Sequence, residues 1–162
     1  MKIRASDFPF TEILENNWEA IRQEYYEIHD QLEDWVEKDL YEQGWKVFKI
    51  FDFPHGGPLT QGVKQCPVTA KIVESHIPTH GAVGFSILAP GTVIKPHVGY
   101  SGEFLRCHLG LEIPQGDCAL QVEEEIYRWN EGKAFIFDDR VIHSAWNKTD
   151  RNRVALLVDF IP

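Results

Sequence analysis

The stretch K-P-H-V-G-Y at residues 95–100 places His97 directly after a proline and two residues before Gly99. Metal-binding β-barrels often begin their site with a histidine in this setting. Non-haem iron sites complete it with an acidic residue two positions on and a second, distant histidine. Gly99 has no side chain to donate. Either the stretch holds no metal, or it holds one with a protein ligand missing.

The candidate partners of His97 are His55, His76, His80, His108 and His143. Strand geometry narrows the field. In F-L-R-C-H-L-G-L (104–111), side chains alternate across the strand, so Arg106 and His108 share one face while Leu105, Cys107, Leu109 and Leu111 form the other. The apolar face fixes the register and sends an arginine and a histidine to the opposite side. A buried guanidinium needs an anion, and no acid stands at the matching spacing on this strand, which points to a ligand carboxylate.

A second cluster, F-I-F-D-D-R-V-I-H-S-A-W-N (135–147), contains His143, and Arg153 follows ten residues later at the head of R-V-A-L-L-V-D-F. An antiparallel return of that length brings Arg153 back near His143, with Ala155 and Leu157 on the same face. This second inward arginine also asks for an anion, and a bidentate carboxylate would satisfy it. Two readings fit His97, His143, Arg106 and Arg153 together. One is a divalent metal with a bound dicarboxylate; the other is a small cupin-like barrel with buried salt bridges.

The elements that must position these residues follow from periodicity. Ile13, Leu14, Trp18, Ile21, Tyr25, Ile28 and Leu32 recur at helical spacing, which predicts helix over 10–41 with a break at Asp34-Trp35 and Thr11 capping its start. Beyond Gly44 the chain reads as strand at 45–53, then a loop at 54–58, then one or two helical turns at 69–74. Short strands with turn signals follow at 83–88, 93–95, 104–113, 119–122, 127–129, 134–137 and 154–160. This regular spacing predicts an antiparallel sandwich or barrel. One domain of mainly β structure is expected, with helical support at 1–44 and a β core at 45–162.

Composition sets the outer limits. The 162 residues suit one domain and carry a formal net charge of −9, from 16 basic and 25 acidic residues. No basic stripe is available to neutralise phosphates, so a nucleic-acid partner is not expected. Cys66, Cys107 and Cys118 are an odd, widely spaced set, expected as buried thiols rather than a disulfide framework. No apolar run approaches the roughly 20 residues that span a bilayer, and the N-terminus lacks a signal-peptide core. A cytoplasmic protein without a membrane partner is expected; oligomeric state is not legible.

The motifs in order resemble a known family. F-S-I-L-A-P-G-T-V-I-K-P-H-V-G (85–99), L-R-C-H-L-G-L-E-I-P (105–114), W-N-E-G-K-A-F-I-F-D-D-R-V-I-H-S-A-W-N (129–147) and R-V-A-L-L-V-D (153–159) resemble the aspartyl/asparaginyl β-hydroxylases. The likeness extends upstream through G-W-K-V-F and C-P-V-T. It implies a double-stranded β-helix (jelly-roll, cupin-like) that uses Fe(II), 2-oxoglutarate and O2 to hydroxylate an unactivated C–H. By that resemblance His97 and His143 bind iron, and Gly99 stands where other such oxygenases place a carboxylate. Arg106 meets the C1 carboxylate of 2-oxoglutarate with His108 nearby, and Ser86 and Arg153 meet its distal carboxylate. Asp139 orients a metal-bound water or contacts substrate, and Trp45 lines the pocket.

One position departs from the pattern. Protein-hydroxylating members carry arginine two residues before Arg106, where this chain has Phe104. An amino-acid, peptide or other small-molecule substrate is expected, with the β-carbon of an amino acid or peptidyl residue as the target. The large animal members have a membrane anchor and repeats, and relatives acting on lipid A carry membrane segments; neither is seen here. The alternatives are a 2-oxoglutarate-dependent halogenase, which uses a missing carboxylate to admit chloride, and a non-oxygenase barrel that binds a small acid.

Overall fold

The computed structural model describes residues 2–99 and 102–162, so Tyr100 of the opening motif lies outside the described residues. After a 3-10 turn at Ala5–Asp7, two short helices, α1 (Phe10–Asn16) and α2 (Trp18–Ile28), bury Leu14, Ile21, Tyr25 and Ile28. The helical expectation through residue 41 is corrected here. Helix ends at Ile28, and Glu33–Asp34 (β1) pairs with Lys46 and Val47 of strand β2 (Trp45–Phe51). Trp35 is drawn from the helical path because its ring stacks on Trp45, with centroids 4.0 Å apart and planes 3° from parallel. Residues 38–40 form only a 3-10 turn. Thr11 does not cap α1; its hydroxyl donates to the Phe8 and Ala5 carbonyls instead.

Helices α3 (Thr60–Gln65) and α4 (Pro67–His76) complete the helical layer, so this support is not confined to residues 1–44. The second is longer than the expected turn or two. Its N-terminus receives the buried Glu24 carboxylate, which accepts from the Val68 and Thr69 amides (2.8 and 2.9 Å) and the Thr69 hydroxyl (2.6 Å). These are orphan donors at the positive end of a helix, so the acid both caps α4 and ties it to α2.

Eight further strands follow: β3 (His80–Leu88), β4 (Val93–His97), β5 (Leu105–Glu112), β6 (Cys118–Val122), β7 (Glu125–Tyr127), β8 (Ala134–Phe137), β9 (His143–Asn147) and β10 (Arg153–Phe160). They form a six-stranded sheet in the order β1-β2-β3-β10-β5-β8 and a four-stranded sheet in the order β4-β9-β6-β7, all pairs antiparallel. From β3 to β6 and from β7 to β10 the chain alternates between the sheets, which is the double-stranded β-helix, or jelly-roll.

The outer face of the large sheet packs on the helices through Leu105, Cys107, Leu109, Leu111, Val154, Leu156 and Val158. Its inner face meets the small sheet through Trp45, Leu120, Tyr127, Phe137, Ala155 and Leu157. The alternation expected on β5 and β10 is thus the alternation observed. Strand β7 lies two residues earlier than expected, and β9 is a strand that the sequence does not announce. The three thiols are buried and free.

Replacing Glu24 by alanine would strand the α4 donors. The expected cost is about 2 kcal/mol of unfolding free energy, on the scale of a buried charged hydrogen bond, read from urea denaturation midpoints at unchanged slope. Glutamine, which still offers an acceptor, should cost less.

Candidate active site

His97 ends β4 and His143 begins β9, and the two are register partners. A register irregularity between Ile94 and His97 covers Lys95-Pro96, where proline has no amide to give the ladder. This turns His97 towards its partner, with ring centroids 4.4 Å apart. Each Nδ1 sits against the carbonyl two residues before it, Lys95 at 2.7 Å and Val141 at 2.8 Å. Those contacts assign the proton to Nδ1 and leave the Nε2 lone pair free, the state a metal requires. Burial also pushes the His143 pKa down to about 4, so its imidazole is neutral near pH 7. Among the described residues, no group of three or more His, Cys, Asp or Glu side chains is placed to hold a metal ion. The arrangement offers two nitrogens.

The space a third ligand would use has an owner. The Gly99 amide donates to the Asp139 carbonyl (2.7 Å), and a Cβ built on Gly99 would lie 2.9 Å from the Asp139 carboxyl carbon. Asp139 is buried, and its side chain lies 3.5 Å from Arg106. Burial raises its pKa, with Arg106 acting in the opposite direction. A carboxylate at position 99 and one at position 139 cannot share this place.

Arg106 itself differs from expectation. Its anion is a protein residue: Nε and Nη2 donate to the two oxygens of Asp159 on the neighbouring strand, at 2.7 and 3.0 Å. The search for an acid along β5 alone missed it because the partner comes from the register of β10 against β5. An aspartate inside the apolar run L-L-V-D-F was the available signal.

Arg153 is the opposite case. It is 1% exposed and has no carboxylate partner among the described residues. Its Nη2 donates to the Ser86 hydroxyl (3.0 Å), which also accepts from the Trp45 indole (3.1 Å). Its guanidinium lies 4.5 Å over the Trp129 ring, and its Nε has no partner. Burial lowers its pKa to about 10, which leaves it charged at neutral pH.

Trp129, which sequence reasoning did not single out, also sets His108. The indole N–H can only donate, so at 3.0 Å it makes His108 Nδ1 the acceptor. Burial, with Arg153 and Arg106 nearby, pushes the His108 pKa well down, so its one proton sits on Nε2. That buried N–H has no partner either. Ser86, His108, Trp129, Arg153, Trp45 and the two facing histidines therefore line one narrow cavity between the sheets. The cavity presents one unpaired cation and one unpaired N–H donor, a setting that fits a carboxylate. On the other side of the histidine pair a second cavity of about 240 Å³ opens, with Arg106 and Asp139 in its wall. His55, His76 and His80 line neither.

Gly99→Ala should cost about 1–3 kcal/mol by overpacking, measured by thermal unfolding. Combining it with Asp139→Ala should cost less than the sum of the two single changes, because the collision partner is gone.

The Aspartyl/Asparaginyl beta-hydroxylase family model matches residues 15–162. The ornithine lipid ester-linked acyl 2-hydroxylase of Rhizobium tropici is 35% identical over 95% of this chain and 58% of its own length. The human aspartyl/asparaginyl beta-hydroxylase is 33% identical over 90% of this chain and 20% of its own length. The chain thus spans little more than half of one relative and a fifth of the other. A Pseudomonas putida prolyl-4-hydroxylase structure superposes with a TM-score of 0.60 at 13% identity, covering 91% of this chain and 86% of that one, a likeness of fold. On the family match over nearly its whole length and on these relatives, the chain belongs to the aspartyl/asparaginyl β-hydroxylase family.

Proposed function

We propose that the protein is an Fe(II)- and 2-oxoglutarate-dependent dioxygenase that hydroxylates an unactivated C–H bond. The observation that carries this reading is the buried, uncompensated Arg153 and the orphan His108 N–H, in a cavity that ends on two histidines with free Nε2 lone pairs. Iron fits the donor set, since two neutral imidazoles suit it. Bound iron with 2-oxoglutarate and O2 would supply the oxidative chemistry, and the chain supplies binding, orientation and exclusion of water.

In this reading His97 and His143 hold the metal through Nε2. Arg153 and the Ser86 hydroxyl hold the distal carboxylate of 2-oxoglutarate, and Trp129 keeps the Arg153 guanidinium flat. His108 donates its Nε2 proton to the co-substrate. Arg106 borders the C1 carboxylate with its orientation fixed by Asp159, so it positions more than it neutralises. Trp45 walls the cavity and holds Ser86. Asp139 accepts a hydrogen bond from the group that fills the position left by Gly99. An acceptor there favours water, which can donate a hydrogen bond, over chloride, which cannot, and this supports hydroxylation rather than halogenation.

For the substrate we propose the β-carbon of an amino acid or peptidyl residue, with neither nucleic acid nor membrane as partner. A second reading, hydroxylation of an acyl chain, is favoured by the likeness to the Rhizobium hydroxylase and by Phe104. The ring of Phe104 packs so closely on Gly81 that a Cβ there would lie 2.6 Å from it, and it offers no grip for a substrate carboxylate. Among the described residues no helix is long and apolar enough to cross a membrane.

The test is succinate release in the presence of Fe(II), O2 and candidate amino-acid, peptide and acyl substrates. His143→Ala should abolish both iron binding and turnover. Arg153→Ala should keep the metal but raise the half-saturating 2-oxoglutarate concentration about 30-fold or more, the scale of truncating one partner of a buried charge pair. An unchanged 2-oxoglutarate requirement in that variant would contradict the assignment.

A further inference from the structure

The 240 Å³ cavity on the outer side of the histidine pair has a composition that the proposed chemistry does not itself require. Its apolar wall is Trp35 stacked on Trp45, with Phe53 set edge-on at 5.6 Å from Trp35. Among the described residues lining it, Arg106 is the one lysine or arginine, and two carboxylates already claim it: Asp159 at 2.7 Å and Asp139 at 3.5 Å. A third acid, the exposed Glu37, also lines it; it accepts from the Trp35 indole at 3.3 Å and acts on Arg106 from beyond ion-pair distance.

The rim is apolar. Val36, Val98 and Ile142 are 77%, 61% and 52% exposed, the three most exposed large apolar side chains among the described residues. They flank Glu37, Gly99 and His143 of the cavity wall. Val98 itself lines the cavity, so exposed aliphatic surface reaches its wall, and such surface marks a place that something apolar covers.

We propose that this cavity selects a substrate with an apolar body that carries a cationic group, and that Glu37 is the determinant of that choice. The inference rests on reading the cavity as the substrate side of the histidine pair. A substrate carboxylate placed here would face Asp139 and Glu37 and find Arg106 already bound. An ammonium group finds acids and aromatic walls.

The probes are hexyltrimethylammonium, hexanol and hexanoate, titrated against the full chain while the indole N–H signals are followed by NMR. Of these two cavities Trp35 lines only the outer one and Trp129 only the inner one, so the two signals report which of them each probe enters. The ammonium is expected to shift Trp35 at a half-saturating concentration about fivefold or more below that of hexanoate, with hexanol between. Glu37→Gln should shrink that preference and Glu37→Lys should reverse it. Equal or tighter hexanoate binding at Trp35 overturns the proposal, as does a preference unchanged in Glu37→Lys or a Trp35 signal indifferent to the ammonium. The titration uses neither iron nor turnover, so a protein that released no succinate would refute the oxygenase reading and leave this result standing.

Discussion

A guanidinium that is 1% exposed and has no counter-ion among the described residues is the constraint around which this barrel is organised. Leaving a full charge in a low-dielectric interior is costly, and proteins ordinarily pair it or do without it. Here Arg153 has only a hydroxyl and an aromatic face. Those contacts hold it in place without neutralising it. The same tryptophan that lies under Arg153 fixes the tautomer of His108, so one side chain sets the orientation of both orphan groups. Arg106 is the contrast on the adjacent strand: its charge is satisfied by Asp159, and it stiffens the junction between the two cavities. Of two inward arginines, one is paired within the fold, and the other, without a carboxylate among the described residues, is the one we propose a ligand completes.

The second constraint is steric. Gly99 leaves room for Asp139, whose carboxylate arrives from the loop ahead of β9 rather than from the loop after β4. In the proposed reading, the carboxylate that such oxygenases place two residues after the first histidine has its counterpart in Asp139, beside Arg106. The two loops are joined by the hydrogen bond from the Gly99 amide to the Asp139 carbonyl.

Much of this was legible before the structure. Alternation on β5 and β10 assigned Arg106, His108 and Arg153 to the interior, because an apolar face of three leucines and one cysteine, or of two valines and a leucine, has only one place to go. His97 and His143 followed from their settings. What stayed hidden depends on register and on tertiary competition. The partner of Arg106 sits on a different strand. Strand β9 was not recognised because its inward positions are His143, Ala145 and Asn147, two polar residues around one small apolar one, which hides the usual alternation. The helix was drawn too long because Leu32 continues the apolar period past Ile28, while the stack of Trp35 on Trp45 holds the following segment as a strand. Trp129 carried no signal of its own beyond being aromatic in a strand.

The central claim is that the histidine pair and the Arg153 cavity together bind one metal and one 2-oxo acid. Its most direct measurement is anaerobic visible absorption of the full chain during titration with Fe(II) and 2-oxoglutarate. The expected result is a weak charge-transfer band that needs both components and grows to a one-to-one end point. A spectrum that stays featureless with both present at saturating concentration would contradict it.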